Sequence, residues 1–235
     1  MKMQTLIREN LIRVQERIDA AARRAGRRPE EITLIGVSKT QPVAAIREAF
    51  EAGLRHFGEN RVQEWEGKRK EIEDLRATWH LIGHLQSNKA ARAARTFHSV
   101  DSMDDFALAQ RLDRARAESS SAEKLRLLIE VHIAKEEKKS GAEIEELPAL
   151  ASKISELPRL ELAGLMCIPP FLENAEKVRP YFRRLRELRD DLAKQIGRAL
   201  PVLSMGMSHD FEAAIEEGAT EVRVGTALFG PRAVK

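Results

Sequence analysis

Lys39 follows the apolar run Ile32–Ser38 (ITLIGVS) and precedes Pro42, so a long amine stands where a buried strand gives way to a helix. Such an amine has two readings. It can snorkel its head to water, or desolvation can lower its pKa and favour a neutral nucleophile able to form a Schiff base with an aldehyde. Near the other end of the sequence, Ser208 closes Ser204-Met205-Gly206-Met207-Ser208 and stands where the N-cap of a helix over Phe211–Glu217 is expected. A hydroxyl beside unpaired backbone N–H groups suits an anion. In Val224-Gly225-Thr226, Gly225 lets a ligand approach the backbone and Thr226 adds a second hydroxyl. Singly, Ser208 reads equally well as a plain cap and Gly225 as a strand end. Together with Lys39 they describe a pocket for a small phosphorylated aldehyde, provided the fold brings the two ends of the chain together.

The order of elements predicts that it does. Leu6, Ile7, Leu11, Val14, Ile18 and Ala22 fall at helical spacing over Thr5–Ala25, with Gly26 as a C-terminal cap. After ITLIGVS, strand-like runs recur at Leu54–Gly58, Thr78–His84, Thr96–Ser102, Leu125–Ile133, Leu160–Ile168, Val202–Met207 and Glu221–Phe229. Helix-like segments lie between most of them, at Val43–Ala52, Asn60–Leu75, Asn88–Arg95, Asp104–Glu118, Ile144–Glu156, Asn174–Ile196 and Phe211–Glu217. This alternation implies an α/β fold with a parallel sheet under helical cover. With 235 residues for the whole chain, a single (β/α)8 TIM barrel over 1–235 is the economical solution, the N-terminal helix filling the outer-ring place after strand eight. An open doubly wound sheet is the alternative, but none of the 13 glycines forms GxGxxG and no P-loop lysine is present. In a barrel, sites form at the C-terminal ends of the strands, and phosphate is often held after strands seven and eight.

Other chemistries find less support. His80 and His84 lie four apart, yet no carboxylate partner is evident near them in sequence, so no metal site is expected. Gly36-Val37-Ser38 and Gly206-Met207-Ser208 lack the second glycine of a nucleophile elbow. Cys167, the single cysteine, reads as a buried inert thiol and points to a reducing, cytoplasmic setting. The balance of 40 Lys and Arg against 37 Asp and Glu is a small, dispersed surplus, and the cluster Lys89, Arg92, Arg95 has few aromatics nearby to stack bases, so no nucleic-acid partner is expected. The charge-rich Tyr181–Lys194 reads as a solvated helical face. No apolar run approaches the roughly 20 residues of a membrane span, and the N-terminus lacks a signal-peptide apolar region. A closed barrel with its own capping helix predicts a monomer.

Five segments carry a family resemblance: VSKTQP (Val37–Pro42), HFGENRVQE (His56–Glu64), WHLIGHLQSNK (Trp79–Lys89), GLMCIPP (Gly164–Pro170) and LSMGMSHDFEAAIEEGATEVRVGTALFG (Leu203–Gly230). They closely resemble the pyridoxal phosphate homeostasis proteins, also called the proline synthase co-transcribed family. The resemblance implies the barrel of fold-type III pyridoxal-phosphate proteins, akin to the N-terminal barrel of alanine racemase. It further implies pyridoxal 5′-phosphate held as an internal aldimine on Lys39, with Ser208, Gly225 and Thr226 on the phosphate, Arg223 facing the pyridine nitrogen, and Asn60 and Met166 lining the ring. A guanidinium stays protonated, so Arg223 would leave that nitrogen unprotonated and weaken the ring as an electron sink. His84 is expected at the pocket rim. The loop VHIAKEEKKSG departs from the family, with His132 where relatives often carry Asn and a single Gly141 where many have two. The implied function is cofactor holding and homeostasis without turnover, with PLP-dependent apo-enzymes as possible recipients. The alternative is an amino-acid racemase. That would need a second base, which related racemases draw from an added domain, whereas the one tyrosine here, Tyr181, falls in an expected outer helix before strand seven.

Overall fold

The computed structural model describes residues 2–119, 121–134 and 140–231. Its chain runs α1 (Lys2–Arg24), β1 (Thr33–Val37), α2 (Val43–Glu51), β2 (His56–Glu59), α3 (Val62–Arg69), β3 (Thr78–Leu81), α4 (Ala90–Thr96), β4 (Ser99–Met103), α5 (Phe106–Ala117), β5 (Leu125–Glu130), α6 (Leu147–Ser155), β6 (Leu160–Met166), α7 (Arg179–Ile196), β7 (Val202–Met207), α8 (Phe211–Glu216), β8 (Glu221–Val224) and α9 (Thr226–Phe229). Each strand pairs in parallel with the next. β8 pairs in turn with β1, from Thr33↔Glu221 to Gly36↔Val224, which closes the expected barrel.

Parallel strands covered by helices are buried on their outer faces. Leu34, Phe57, Trp79, Val100, Leu127, Leu165, Leu203 and Val222 form one continuous apolar core with the inner stripes of the helices. α1 occupies the outer-ring place after β8. Its Ile7, Leu11, Val14, Ile18 and Ala22 are buried at helical spacing, and it packs against α8, α2 and α9. Directional bonds fix its position: Asn10 Nδ2 donates to Leu228 O at 2.9 Å, and Arg27 donates to Ile215 O and Ala219 O.

Two expectations change in detail. The run Glu221–Phe229 is not one strand, because the backbone leaves the extended region at Gly225 and continues as α9, carrying Leu228 into the core. The arginines of α7 do more than decorate a solvated face. Arg179, Arg183 and Arg186 converge on Glu217 just after α8, so they tie neighbouring outer helices together. Of the loop Val131–Gly141, residues 135–139 lie outside the described residues, as do Ser120 and residues 232–235. Among the described residues no helix is long and apolar enough to cross a membrane.

Candidate functional site at the barrel mouth

The C-terminal ends of β1, β7 and β8 are neighbours in the closed sheet, and they bring Lys39, Ser208, Gly225 and Thr226 to one place. Lys39 stands two residues beyond the end of β1. It lines a small cavity with Val37, Gln41, Gly225, Thr226 and Gly230. Gly225 has φ −110°, and a Cβ there would lie an ordinary 3.5 Å from Val37. Neither its backbone nor its packing demands glycine, so the missing side chain serves the cavity.

Ser208 plays a different part from the one its position suggests. Asp210 takes the N-cap place of α8, with its Oδ1 accepting from the Met207 amide at 2.6 Å. The Ser208 hydroxyl crosses to the start of α9 instead, where its Oγ accepts from the amides of Gly225 at 3.2 Å and Ala227 at 3.3 Å. Two backbone donors thus converge on one oxygen beside the exposed Thr226, a geometry that suits a tetrahedral oxyanion.

Deeper in the mouth, Arg223 is buried on β8 and donates to Ser204 Oγ at 2.7 Å and to Cys167 O at 2.8 Å, both neutral acceptors. The carboxyls nearest in effect are Glu130 and Asp210. Burial pushes both above the usual carboxylate range, which Arg223 only partly offsets. Met166 is fully buried at the end of β6, paired in register with Glu130 and Ser204. Asn60 follows β2. A Cβ on Gly83 would come within 2.5 Å of Asn60 O, so glycine there lets the loops after β2 and β3 touch and fixes Asn60.

His84 is not at a strand end. β3 stops at Leu81, and the loop carries His84 outward to 57% side-chain exposure, with Asp104 at 3.6 Å. It lines a cavity of about 590 Å³ with Asn60 and Lys89. His132, on the far wall, holds Glu143 at 3.0 Å. Burial pushes the Cys167 thiol up to about 12, which leaves it an inert core group.

His80 lies at the opposite end of the barrel interior. It does have carboxylate neighbours, contrary to the sequence reading: Asp101 and Glu221 meet it within 4.8 Å. Arg126 reaches into the same cluster, with Nη1 on Glu221 and Nη2 3.1 Å from His80 Nδ1 and 3.5 Å from Asp101. A metal ion there would have to displace a guanidinium.

Asp210, Glu130, Ser204 and the turn after Lys39 are mouth features that the sequence reading passed over. Thr40 has φ +64°, the one positive value among described non-glycine residues. Only the acid closing LRLLIE and the acid two places after Ser208 were visible as signals, and neither marks a site by itself.

The sequence matches the family described as "Alanine racemase, N-terminal domain" over residues 10–233. A pyridoxal phosphate homeostasis protein of Aquifex aeolicus is 50% identical over 224 residues, 95% of this chain and 97% of that protein. One from Pseudomonas aeruginosa is 50% identical over 227 residues, 96% of each. The chain belongs to the pyridoxal phosphate homeostasis protein family. Among solved structures of the family, PipY of Synechococcus elongatus with PLP bound superimposes with a TM-score of 0.84 at 40% identity, covering 95% of this chain and all of that one (100%). An alanine racemase of Clostridium difficile shares the fold, with a TM-score of 0.73 at 15% identity over 98% of this chain and 58% of the racemase.

Proposed function

We propose that this member of the family holds pyridoxal 5′-phosphate reversibly at the barrel mouth, in the cytoplasm, and serves cofactor supply without turning over a substrate. The observation that carries the reading is the convergence, on adjacent strand ends, of an amine, a pair of backbone amides already gathered on one hydroxyl oxygen, and a buried guanidinium with neutral partners. When bound, the cofactor supplies an aldehyde carbon open to amines. Lys39 is the residue we assign to its covalent attachment. The amides of Gly225 and Ala227, with the hydroxyls of Ser208 and Thr226, would hold the phosphate. Arg223, placed at the pyridine nitrogen, cannot give up its proton, so that nitrogen stays an acceptor and carbanion chemistry is poorly supported. Met166 and Asn60 would wall the ring, and His84 would stand at the rim. The PLP-bound PipY structure supports the ligand assignment through family membership.

A racemase would need a second base across the mouth. Tyr181, the only tyrosine in the sequence, sits on α7 in the outer ring and packs against the core there. We therefore read the chain as a single holding domain, acting as a monomer that yields its cofactor to apo-enzymes.

The test is direct. Protein incubated with pyridoxal phosphate should absorb in the visible range, and borohydride should fix the cofactor's mass to the peptide containing Lys39. Lys39→Ala should lose both signals. A colourless protein without added mass would overturn the cofactor assignment, and an unchanged Lys39→Ala spectrum would move the attachment elsewhere. Alanine or serine racemisation well above that of free cofactor would overturn the reading of no turnover.

A further inference from the structure

The backbone around Lys39 is gripped from both sides by one set of charged groups that no part of the cofactor site requires. On the near side, Lys68 of α3, only 13% exposed, donates to Ser38 O at 3.0 Å, while Ser38 Oγ donates to the fully buried Glu59 at 2.7 Å. On the far side, Glu64 Oε1 accepts from the Thr40 amide. Lys68 joins the two carboxylates, 3.2 Å from Glu59 Oε1 and 2.7 Å from Glu64 Oε1. Ser38 and Thr40 flank Lys39, and Thr40 is the residue held at φ +64°. A β-branched residue in the left-handed region is strained and persists only where its surroundings over-determine it. Here the surroundings are named: the Glu64 carboxylate takes the Thr40 amide, and Lys68 holds that carboxylate in place.

A surface helix has no need to send a lysine into its own barrel to find partners, since water serves an ammonium better than a buried site does. Glu59 and Glu64 on the two sides of that ammonium explain its course. Its effect falls on the three-residue turn that carries Lys39. From this geometry we infer that Lys68, Glu59 and Glu64 form a clamp whose role is to hold the Ser38–Thr40 turn so that the Lys39 amine is aimed at the bound aldehyde. They are positioning residues, none of them among the side chains assigned to the cofactor. The inference rests on the assignment of Lys39 as the attachment point.

The test separates aiming from binding. Pyridoxine 5′-phosphate has an alcohol in place of the aldehyde, so it reports the phosphate and ring sites without the covalent step. Lys68→Met and Glu64→Ala are expected to bind this alcohol within about twofold of the parent, yet to capture pyridoxal phosphate about 10- to 100-fold more slowly in borohydride-trapped time courses. Glu64→Gln keeps an acceptor for the Thr40 amide and should recover most of the lost rate. Parental capture rates in both Lys68→Met and Glu64→Ala would overturn the clamp. Equal losses of alcohol binding and of capture would also overturn it, since the effect would then be collapse of the pocket. If the parent itself forms no adduct at Lys39, the proposed function fails, and the clamp with it.

Discussion

Two arginines reach into this barrel, Arg223 buried and Arg126 half-buried, and the two ends of the molecule treat them oppositely. Arg126, near the N-terminal ends of the strands, meets Glu221 and Asp101. Burial works against the charge of Asp101, but His80 and Arg126 outweigh it and hold its carboxyl below the usual range. The guanidinium is itself raised, because Asp101 and Glu221 overcome its own burial. That cluster pairs the guanidinium with carboxylates and leaves Glu221 Oε2 buried without a hydrogen-bond partner. Arg223, near the C-terminal ends, donates to a hydroxyl and a carbonyl, while burial pushes the nearby acids Glu130 and Asp210 toward their neutral forms. A buried cation with neutral acceptors and weakened acids retains capacity for a ligand's lone pair, whereas a cation paired with two carboxylates has little to spare. The two arginines thus differ in what they are matched with, carboxylates at one end and neutral oxygens at the other, more than in type.

The largest expected effect is at the carboxylate-paired end. Asp101→Ala leaves Arg126 and His80 short of a partner in a buried place, and should lower unfolding free energy by about 3–5 kcal/mol in urea titrations. At the mouth the pattern should invert. Ser208→Ala and Thr226→Val are each expected to weaken cofactor retention by about 1.5–3 kcal/mol, as lost hydrogen bonds to a charged group, with little change in the melting temperature of the cofactor-free protein. Arg223→Met, of similar length, strands only neutral oxygens and should cost about 1 kcal/mol of stability while loosening retention. An Arg223→Met loss as large as that of Asp101→Ala would break the contrast.

The last effect is in the pH dependence. His56, at the start of β2, is lowered from 6.5 to about 4 by burial, with His80 and Arg126 adding to it. The unfolded chain therefore binds a proton between pH 6.5 and 4 that the folded protein refuses. Stability from this group is complete above pH 6.5 and falls as the pH drops toward 4, by about 2 kcal/mol after allowance for screening at a partly exposed ring. His56→Gln should flatten the pH dependence of stability over that window, and an unaltered profile would show that the burial of His56 does not set it.

The alternation of elements was legible because helix and buried-strand periods differ, and β7 begins and ends where its apolar run does, Val202–Met207. Boundaries slipped where apolar character outlasts the hydrogen-bonding ladder. β3 stops at Leu81 although the apolar run goes on through Ile82, and β8 stops at Val224 although Ala227, Leu228 and Phe229 are apolar, because those residues serve a helical turn. The reading of His80 as lacking a carboxylate partner failed for a related reason. Asp101 is 21 residues away on the paired strand β4 and Arg126 meets Glu221 from 95 residues away, so strand pairing and barrel closure make them neighbours.

The sequence by itself determined the class of fold and put Lys39, Ser208, Gly225 and Thr226 at the ends of their strands, since local periodicity and short motifs are written in consecutive residues. Only the tertiary structure decided what Ser208 binds, that Arg223 is left with neutral partners, and that the turn around Lys39 is held by Lys68 from a helix 29 residues further on. Those are properties of charge balance across the barrel. Charge balance depends on distances between residues remote in the chain, which no local pattern encodes.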